Sequence, residues 1–297
     1  MWLLFGLFSA VLLGLYDISK KMALQNNAVI PVLFSATLMS ALLLAPLPLL
    51  SHFVPNEMKN TLLYVPPIDA KTHVFIFLKS MLVLTSWIFG YFSFKHLPIT
   101  VITPIEATRP LWTILGAMLL FSEQLSVAQW IGVAVTLISF YLFSQAGKKE
   151  NVHFFHNKWI WFSILASLSG AASGLYDKFL LQHFNRMAVQ SYYAIYQAII
   201  MSIILLLLWY PKRKETTPFR WKKSIVAISV FLTLADFLYF FALSDPHSMI
   251  SLLTVVRRSG VVVSFSLGAF LFREKNILVK AICLLGVIAG TLLLLLS

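Results

Sequence analysis

The chain has 297 residues, of which 59% are hydrophobic and 11% charged, with a mean hydropathy of +0.85. Soluble globular domains carry about a quarter charged residues, so this composition excludes a water-soluble fold and points to a membrane protein. The formal net charge of +12 does not indicate a nucleic-acid partner. The Lys and Arg residues cluster in short gaps between apolar runs, as they do on the cytoplasmic face of a membrane protein.

A bilayer-spanning helix needs about 20 mostly apolar residues. Ten such segments follow in chain order, at about 2–22, 29–50, 74–94, 98–121, 127–144, 159–182, 188–210, 224–243, 247–272 and 277–296. The first has no basic n-region and no small-x-small cleavage site, so it reads as a retained helix rather than a signal peptide. The gap from Ser51 to His73 holds Pro55, Pro66 and Pro67 around Met58–Val65, which fits a short interfacial helix or an irregular loop. Between the third and fourth segments, Lys95-His96-Leu97-Pro98 is the single break, and its Pro favours a tight turn. Trp2, Trp130, Trp159, Trp161, Trp209 and Trp221 fall near segment ends, as an aromatic belt does. Trp87 and Trp112 lie mid-segment, where they pack or line a cavity. The single Cys283 excludes an intramolecular disulfide and reads as a small packing residue.

Two stretches recur. Gly14-Leu15-Tyr16-Asp17 returns as Gly174-Leu175-Tyr176-Asp177, 160 residues on. Leu115-Gly116-Ala117-Met118-Leu119-Leu120-Phe121-Ser122-Glu123 resembles Leu267-Gly268-Ala269-Phe270-Leu271-Phe272-Arg273-Glu274. Both copies of the second run end the fourth helix of their half. The expected fold is therefore all-α and integral to the membrane: about ten transmembrane helices as two five-helix repeats, residues 1–147 and 157–297. Five is odd, so the second repeat enters the membrane inverted, an arrangement recurrent among secondary transporters.

Charges inside apolar helices cost about 2.5–3.5 kcal/mol each at the bilayer centre. Asp17, Lys20, Lys21, Lys79, Glu106, Arg109, Asp177, Lys178, Asp236, Arg257 and Arg258 fall within or near the spans. Lys20, Lys21 and Lys79 are near enough to segment ends to snorkel; the others pair or face a wet cavity. Glu106 and Arg109 share a helix face. The second repeat places Arg257 at the position of Glu106, 151 residues apart, so the two are expected to face each other across a central site. Arg258 points about 100° away from Arg257. Arg109, Arg257 and Arg258, with Glu106 as counter-ion, are the expected solute-binding residues, on helices 4 and 9. Pro104 and Pro110 bracket this part of helix 4 and kink it. Asp17 and Asp177 are expected as two copies of one gate or proton-coupling element. Tyr16 and Tyr176 would supply a hydrogen-bonding lid, and Gly14 and Gly174 close helix approach. Glu123 and Glu274, at helix ends, are expected to meet the dipole of the following helix's N-terminus.

Other chemistries fit less well. An intramembrane aspartyl protease pairs a Tyr-Asp with a Gly-x-Gly-Asp, and no Gly-x-Gly-Asp occurs. Inversion also sets Asp17 and Asp177 on opposite sides of the midplane. No serine-hydrolase, zinc-protease or phosphate-loop motif is present, and the seven His show no metal spacing. No cofactor or metal is expected, and the chain does not read as an enzyme. A non-transporting scaffold or receptor remains the alternative.

The chain resembles the drug/metabolite transporter superfamily, in its ten-helix EamA-like branch. The resemblance is carried by the two five-helix halves, by Ser122-Glu123-Gln124-Leu125-Ser126 and Arg273-Glu274-Lys275-Asn276, and by the helices beginning at Trp130-Ile131-Gly132 and Ile282-Cys283. It implies a multi-pass protein, in a plasma (inner) membrane, that moves a small metabolite by alternating access. The excess of mid-helix Arg over acid favours an anionic or zwitterionic solute, with protons or a counter-solute as coupling partners. Family members usually have cytoplasmic termini. The connections after helices 1, 3, 5, 7 and 9, however, carry most of the flanking positive charge, including Lys212, Arg213, Lys214, Arg220, Lys222 and Lys223. The positive-inside rule then puts both termini outside the cytoplasm. A reporter active only in the cytoplasm, fused after Ser297, is expected to stay silent; a cytoplasmic signal there overturns the charge count.

Overall fold

The computed structural model describes residues 1–97, 105, 108–145, 157–260, 262–264, 266–267 and 277–296. The described residues form helices α1 (Trp2–Leu24), α2 (Val29–Leu44), α3 (Pro46–Phe53), α4 (Pro55–Met58), α5 (Ala70–His96), α6 (Arg109–Phe121), α7 (Val127–Gln145), α8 (Lys158–His183), α9 (Arg186–Ile204), α10 (Lys223–Leu243), α11 (Ile250–Arg258) and α12 (Ile277–Leu296). Five stretches among them are long and apolar enough to cross a bilayer: Trp2–Leu24, Val29–Phe53, Ala70–Ser93, Arg186–Trp209 and Lys223–Leu243.

Local chemistry sets the helix ends. Asp69 caps α5 through the Thr72 amide at 3.1 Å. Asn157 caps α8 through the Trp159 amide at 3.0 Å, and Asn185 takes both the Met187 and Ala188 amides of α9. Each side-chain oxygen satisfies a donor that the helix leaves open. Pro46 stands at the first position of α3, where its missing N–H costs nothing, so α2 and α3 run on as one span. Helix α9 ends in a π-turn over Leu205–Trp209. In the gap before α5 the helical turn is Pro55–Met58, upstream of the 58–65 stretch weighed from the sequence. Pro55 starts it, and the residues after Lys59 lack a periodic apolar face to dock.

The two halves are interleaved rather than side by side. Helix α1 packs on α10 and α5 on α8, each against the other half. Helix α2 packs on α9, and α7 on α12. Helix α9 also touches α5 as α2 touches α10, and α6 meets α8 as α11 meets α1. Exchanging the halves leaves this pattern unchanged, as a two-fold axis lying in the membrane plane requires.

Hydrogen bonds give the register of that exchange. Ser80 Oγ donates to the Tyr193 carbonyl and Ser229 Oγ to the Ala36 carbonyl. Ser86 Oγ donates to the Ala166 carbonyl and Ser9 Oγ to the Ala235 carbonyl. Both sets give one offset of 149 residues (80 to 229, 86 to 235) and another of 157 (36 to 193, 9 to 166). The repeated Gly-Leu-Tyr-Asp has an offset of 160, close to one helical turn away. By packing, the counterpart of Asp177 is Lys20, and the two aspartates are not equivalent positions.

The same shift separates the glycines. Gly14 lies against the Gly260 carbonyl and Val263, with no room for a Cβ, whereas a Cβ at Gly174 would meet the Tyr239 hydroxyl at an ordinary 3.9 Å. Close approach belongs to Gly14 and Gly260, and Gly174 does not share it. On the face opposite the termini, Lys222 Nζ donates to the Met22 and Gln25 carbonyls at 2.9 and 2.6 Å. There Asn27 exchanges two hydrogen bonds with the Arg220 backbone, so the basic loop after α9 is tied to the α1–α2 turn. Gly260→Ala is expected to cost about 1–3 kcal/mol, because its Cβ collides with backbone at Ala10. Gly174→Ala is expected to be neutral. Thermal unfolding in detergent compares the two.

Candidate functional site

A void of about 260 Å³, counted with the open space at its mouth, lies between α2, α5, α9 and α10. A second of about 230 Å³ adjoins it. They share Ser40, Trp87, Gln197 and Leu232 and form one cavity along the membrane normal. Its lining straddles the two-fold axis. Leu33 and Gln190, Ala36 and Tyr193, Thr37 and Ala194, Ser40 and Gln197, and Trp87 and Asp236 all face it, and each couple is related by the offset of 157 or 149. In most of these couples the first half supplies the apolar or smaller member and the second half the polar or charged one. The duplicated scaffold therefore encloses a cavity with an aromatic wall and a polar wall.

The polar wall is incompletely satisfied. Gln190 Nε2 donates to the Thr233 carbonyl at 2.9 Å, and Thr233 Oγ1 donates to Ser40 Oγ at 3.2 Å. Gln190 Oε1 and Gln197 Nε2 are buried without a hydrogen-bond partner among the described residues. Gln197 Nε2 lies near the Tyr193 hydroxyl without closing a hydrogen bond to it. Buried polar atoms of this kind are rare in native folds.

Asp236 joins the cavity to the charged network behind it. Arg257 Nη2 donates to Asp236 Oδ1 at 2.9 Å, Arg257 Nε donates to Ser9 Oγ at 3.1 Å, and the guanidinium stacks 3.8 Å over the Tyr239 ring. The expected Arg257–Glu106 pair and the Glu106–Arg109 pair involve Glu106, which lies outside the described residues, as do Pro104 and Glu274. The carboxylate that Arg257 does meet is Asp236. Arg109 packs its guanidinium on Gly170 and donates to the Ala166 carbonyl at 3.3 Å. Arg258 follows Arg257 in the last turn of α11. Among the described residues, the cavity is lined from helices 2, 3, 7 and 8 of the ten-helix count. The described parts of helices 4 and 9, α6 and α11, pack on α8 and α1.

Two ammonium clusters bound the cavity along the membrane normal. Towards the face of the termini, Lys79 pairs with Asp177. Its ammonium lies 4.4 Å over the Tyr193 ring and 5.0 Å over Phe240. Lys79 does not snorkel: its side chain is 2% exposed and that of Asp177 9%. Towards the opposite face, Lys20 pairs with Asp17 at 2.7 Å within one turn of α1, with Asp17 48% exposed. Lys20 lies over Tyr16 and Tyr91, whose hydroxyls meet at 3.2 Å. Tyr91 and Phe240 are counterparts at the 149 offset, so both clusters use the same aromatic position. The Lys79–Asp177 pair crosses between halves, whereas the Lys20–Asp17 pair lies within α1. Tyr176 donates to the Phe75 carbonyl at 3.1 Å, on the same α5 that Tyr16 reaches.

Glu123 behaves as a helix cap, though for a different helix than expected. Its carboxylate accepts the Ile250 and Ser251 amides at 2.8 and 3.0 Å, at the N-terminus of α11 in the other half, where the helix dipole favours an anion. Lys178 Nζ lies 3.4 Å away and donates to the Ser248 carbonyl. Trp87 lines the cavity, while Trp112 is largely exposed on the outer surface. Among the sites missed from the sequence, Gln190 and Gln197 carried a legible signal: two amides seven residues apart on one face of an apolar helix.

The sequence profile of the EamA-like transporter family matches residues 1–145 and 157–296. The chain belongs to the EamA-like transporter family, of the drug/metabolite type: a multi-pass membrane transporter and not an enzyme. Among solved structures, one titled only as the crystal structure of a protein superposes with a TM-score of 0.72. The match covers 99% of this chain and 96% of that one at 14% identity, a likeness of fold alone. No curated protein sequence matches the chain.

Arg257→Ala is expected to lower unfolding stability by roughly 3 kcal/mol, since it leaves Asp236 part-buried without its counter-charge. The double variant Asp236→Asn/Arg257→Gln keeps a hydrogen bond, removes both charges and is expected to recover most of that loss in the same melting measurement.

Proposed function

We propose that this chain is a secondary transporter in a plasma (inner) membrane, moving a small zwitterionic solute by alternating access through the axial cavity. The carrying observation is the cavity itself, lined by equivalent helices of both halves and by two glutamines that each keep one buried amide atom without a hydrogen-bond partner among the described residues. A site on the two-fold axis reaches either face by rocking one half against the other. The zwitterionic reading is favoured over the anionic one because Asp236 lines the void, while Arg257 stands behind it and holds it in place.

Asp177 is the proposed coupling carboxylate and Asp17 the proposed gate on the opposite face. The Lys79–Asp177 pair links α5 of the first half to α8 of the second. A proton taken up by Asp177 removes the charge that holds Lys79 and frees the two halves on that face. Glu123 with Lys178 forms a second clasp there. Asp17 pairs within its own helix, so its protonation releases no contact between halves. Tyr16 and Tyr176 steady α5, which both clusters share.

In proteoliposomes, Asp177→Asn is expected to abolish the pH dependence of solute exchange, while Asp17→Asn leaves it in place. Unchanged pH dependence in Asp177→Asn removes Asp177 from the coupling role. Lys79→Met is expected to cost about 3–5 kcal/mol of stability, the penalty for one buried partner left alone. Lys79→Met/Asp177→Leu is expected to fold and to leave the terminal face open to an impermeant thiol reagent at a cysteine placed at Tyr193.

A further inference from the structure

The cavity has directional chemistry. At the end nearer the termini, the acceptors converge: the Asp236 carboxylate, the Gln190 side-chain carbonyl and the Ser40 and Thr233 hydroxyls. The Gln190 amide is oriented by its own hydrogen bond, because Nε2 must face the Thr233 carbonyl. That leaves Oε1 as the open end, and it has no partner among the described residues. Both glutamines are 2% exposed. Two helical turns along α9, about 10 Å in rise, the polarity reverses: Gln197 presents an unpartnered donor, Nε2. Between the two ends, Trp87 and Leu232 form an apolar waist. Among the described residues the lining includes no basic side chain. A cluster of acceptors beside a carboxylate fits a primary ammonium group, which carries three donors and no acceptor. The far donor fits a carboxylate or carbonyl oxygen.

We propose that the cavity takes a small elongated primary amine with a hydrogen-bond acceptor at its far end, its ammonium on Asp236 and Gln190 and its acceptor on Gln197. This rests on the transporter reading above and adds the class and orientation of the solute. An apolar spacer lies against Trp87, so the two polar ends are held apart along the membrane normal. The unsatisfied Oε1 and Nε2 are then the two hydrogen bonds that the solute completes. Asp236 supplies the charge for the ammonium, and Arg257 sets its position.

The probes are 6-aminohexanoate, hexylamine and hexanoate, which share a chain and differ in their ends. In detergent, the melting temperature of the full chain is expected to rise most with 6-aminohexanoate, less with hexylamine and not at all with hexanoate. Gln197→Met removes a buried donor without a partner, so the ligand-free variant should melt no lower than the parent chain. It should bind 6-aminohexanoate about tenfold more weakly, the worth of one hydrogen bond, and hexylamine unchanged. The double variant Asp236→Asn/Arg257→Gln, which keeps the fold, should lose both amines. Equal stabilisation by hexanoate, no shift with any probe, or full affinity in Gln197→Met overturns the proposal. Counterflow in proteoliposomes separates it from the transporter reading. Exchange of hexanoate with no amine preference sinks the amine site and leaves transport standing. Amine-dependent melting shifts without exchange of any probe keep the amine site and sink transport.

Discussion

Lys79 and Asp177 are buried together between the two halves, among side chains that are mostly apolar. Neither ion is tolerable there alone, because a charge at membrane depth costs several kcal/mol unless it is paired. The pair is set between aromatic faces of Tyr193 and Phe240, which add cation–π attraction. It therefore ties α5 to α8 at the floor of the cavity. The arrangement of the surrounding helices follows from that tie and from its counterpart contact, α1 on α10.

The inverted duplication explains why the cavity exists and why it is polarised. A two-fold axis in the membrane plane brings equivalent positions face to face at mid-depth. Identical residues would give a symmetric hole. Here Leu33 stands where the other half has Gln190, and Trp87 where it has Asp236, so divergence between the copies has produced an apolar wall and a polar wall. The same divergence made the charged clusters unequal. One is an exposed pair within a single helix turn, and the other is a buried bridge between halves. Breaking a buried bridge and loosening a solvated one differ in cost.

Much of the architecture was legible in the chain. Apolar runs of bilayer length, the gaps that hold the basic residues, and the odd number of helices per repeat together imply the inverted fold. The site was less legible. Gly-Leu-Tyr-Asp repeats in letters, yet its copies sit about one turn out of register in space, so Asp17 and Asp177 acquired different partners. Glu123 was readable as a cap but not as the cap of α11, which lies 127 residues further on. Arg257 was readable as a buried charge in need of a partner. That the partner is Asp236 depends on how α10 and α11 pack, which no spacing rule supplies.

The sequence by itself determined the solvent, the helices and the duplication, because hydropathy and helical period are properties of consecutive residues. It also determined that the interior charges must pair, because membrane burial leaves them no alternative. Only the tertiary structure decided which charges meet, which glycines touch and which amides are left open, because these depend on the interleaving of α1, α2, α5, α8, α9 and α10 across the axis. Gln190 and Gln197 show the difference. In the chain they are two ordinary amides on one helix face; in the fold they are the open ends of a cavity.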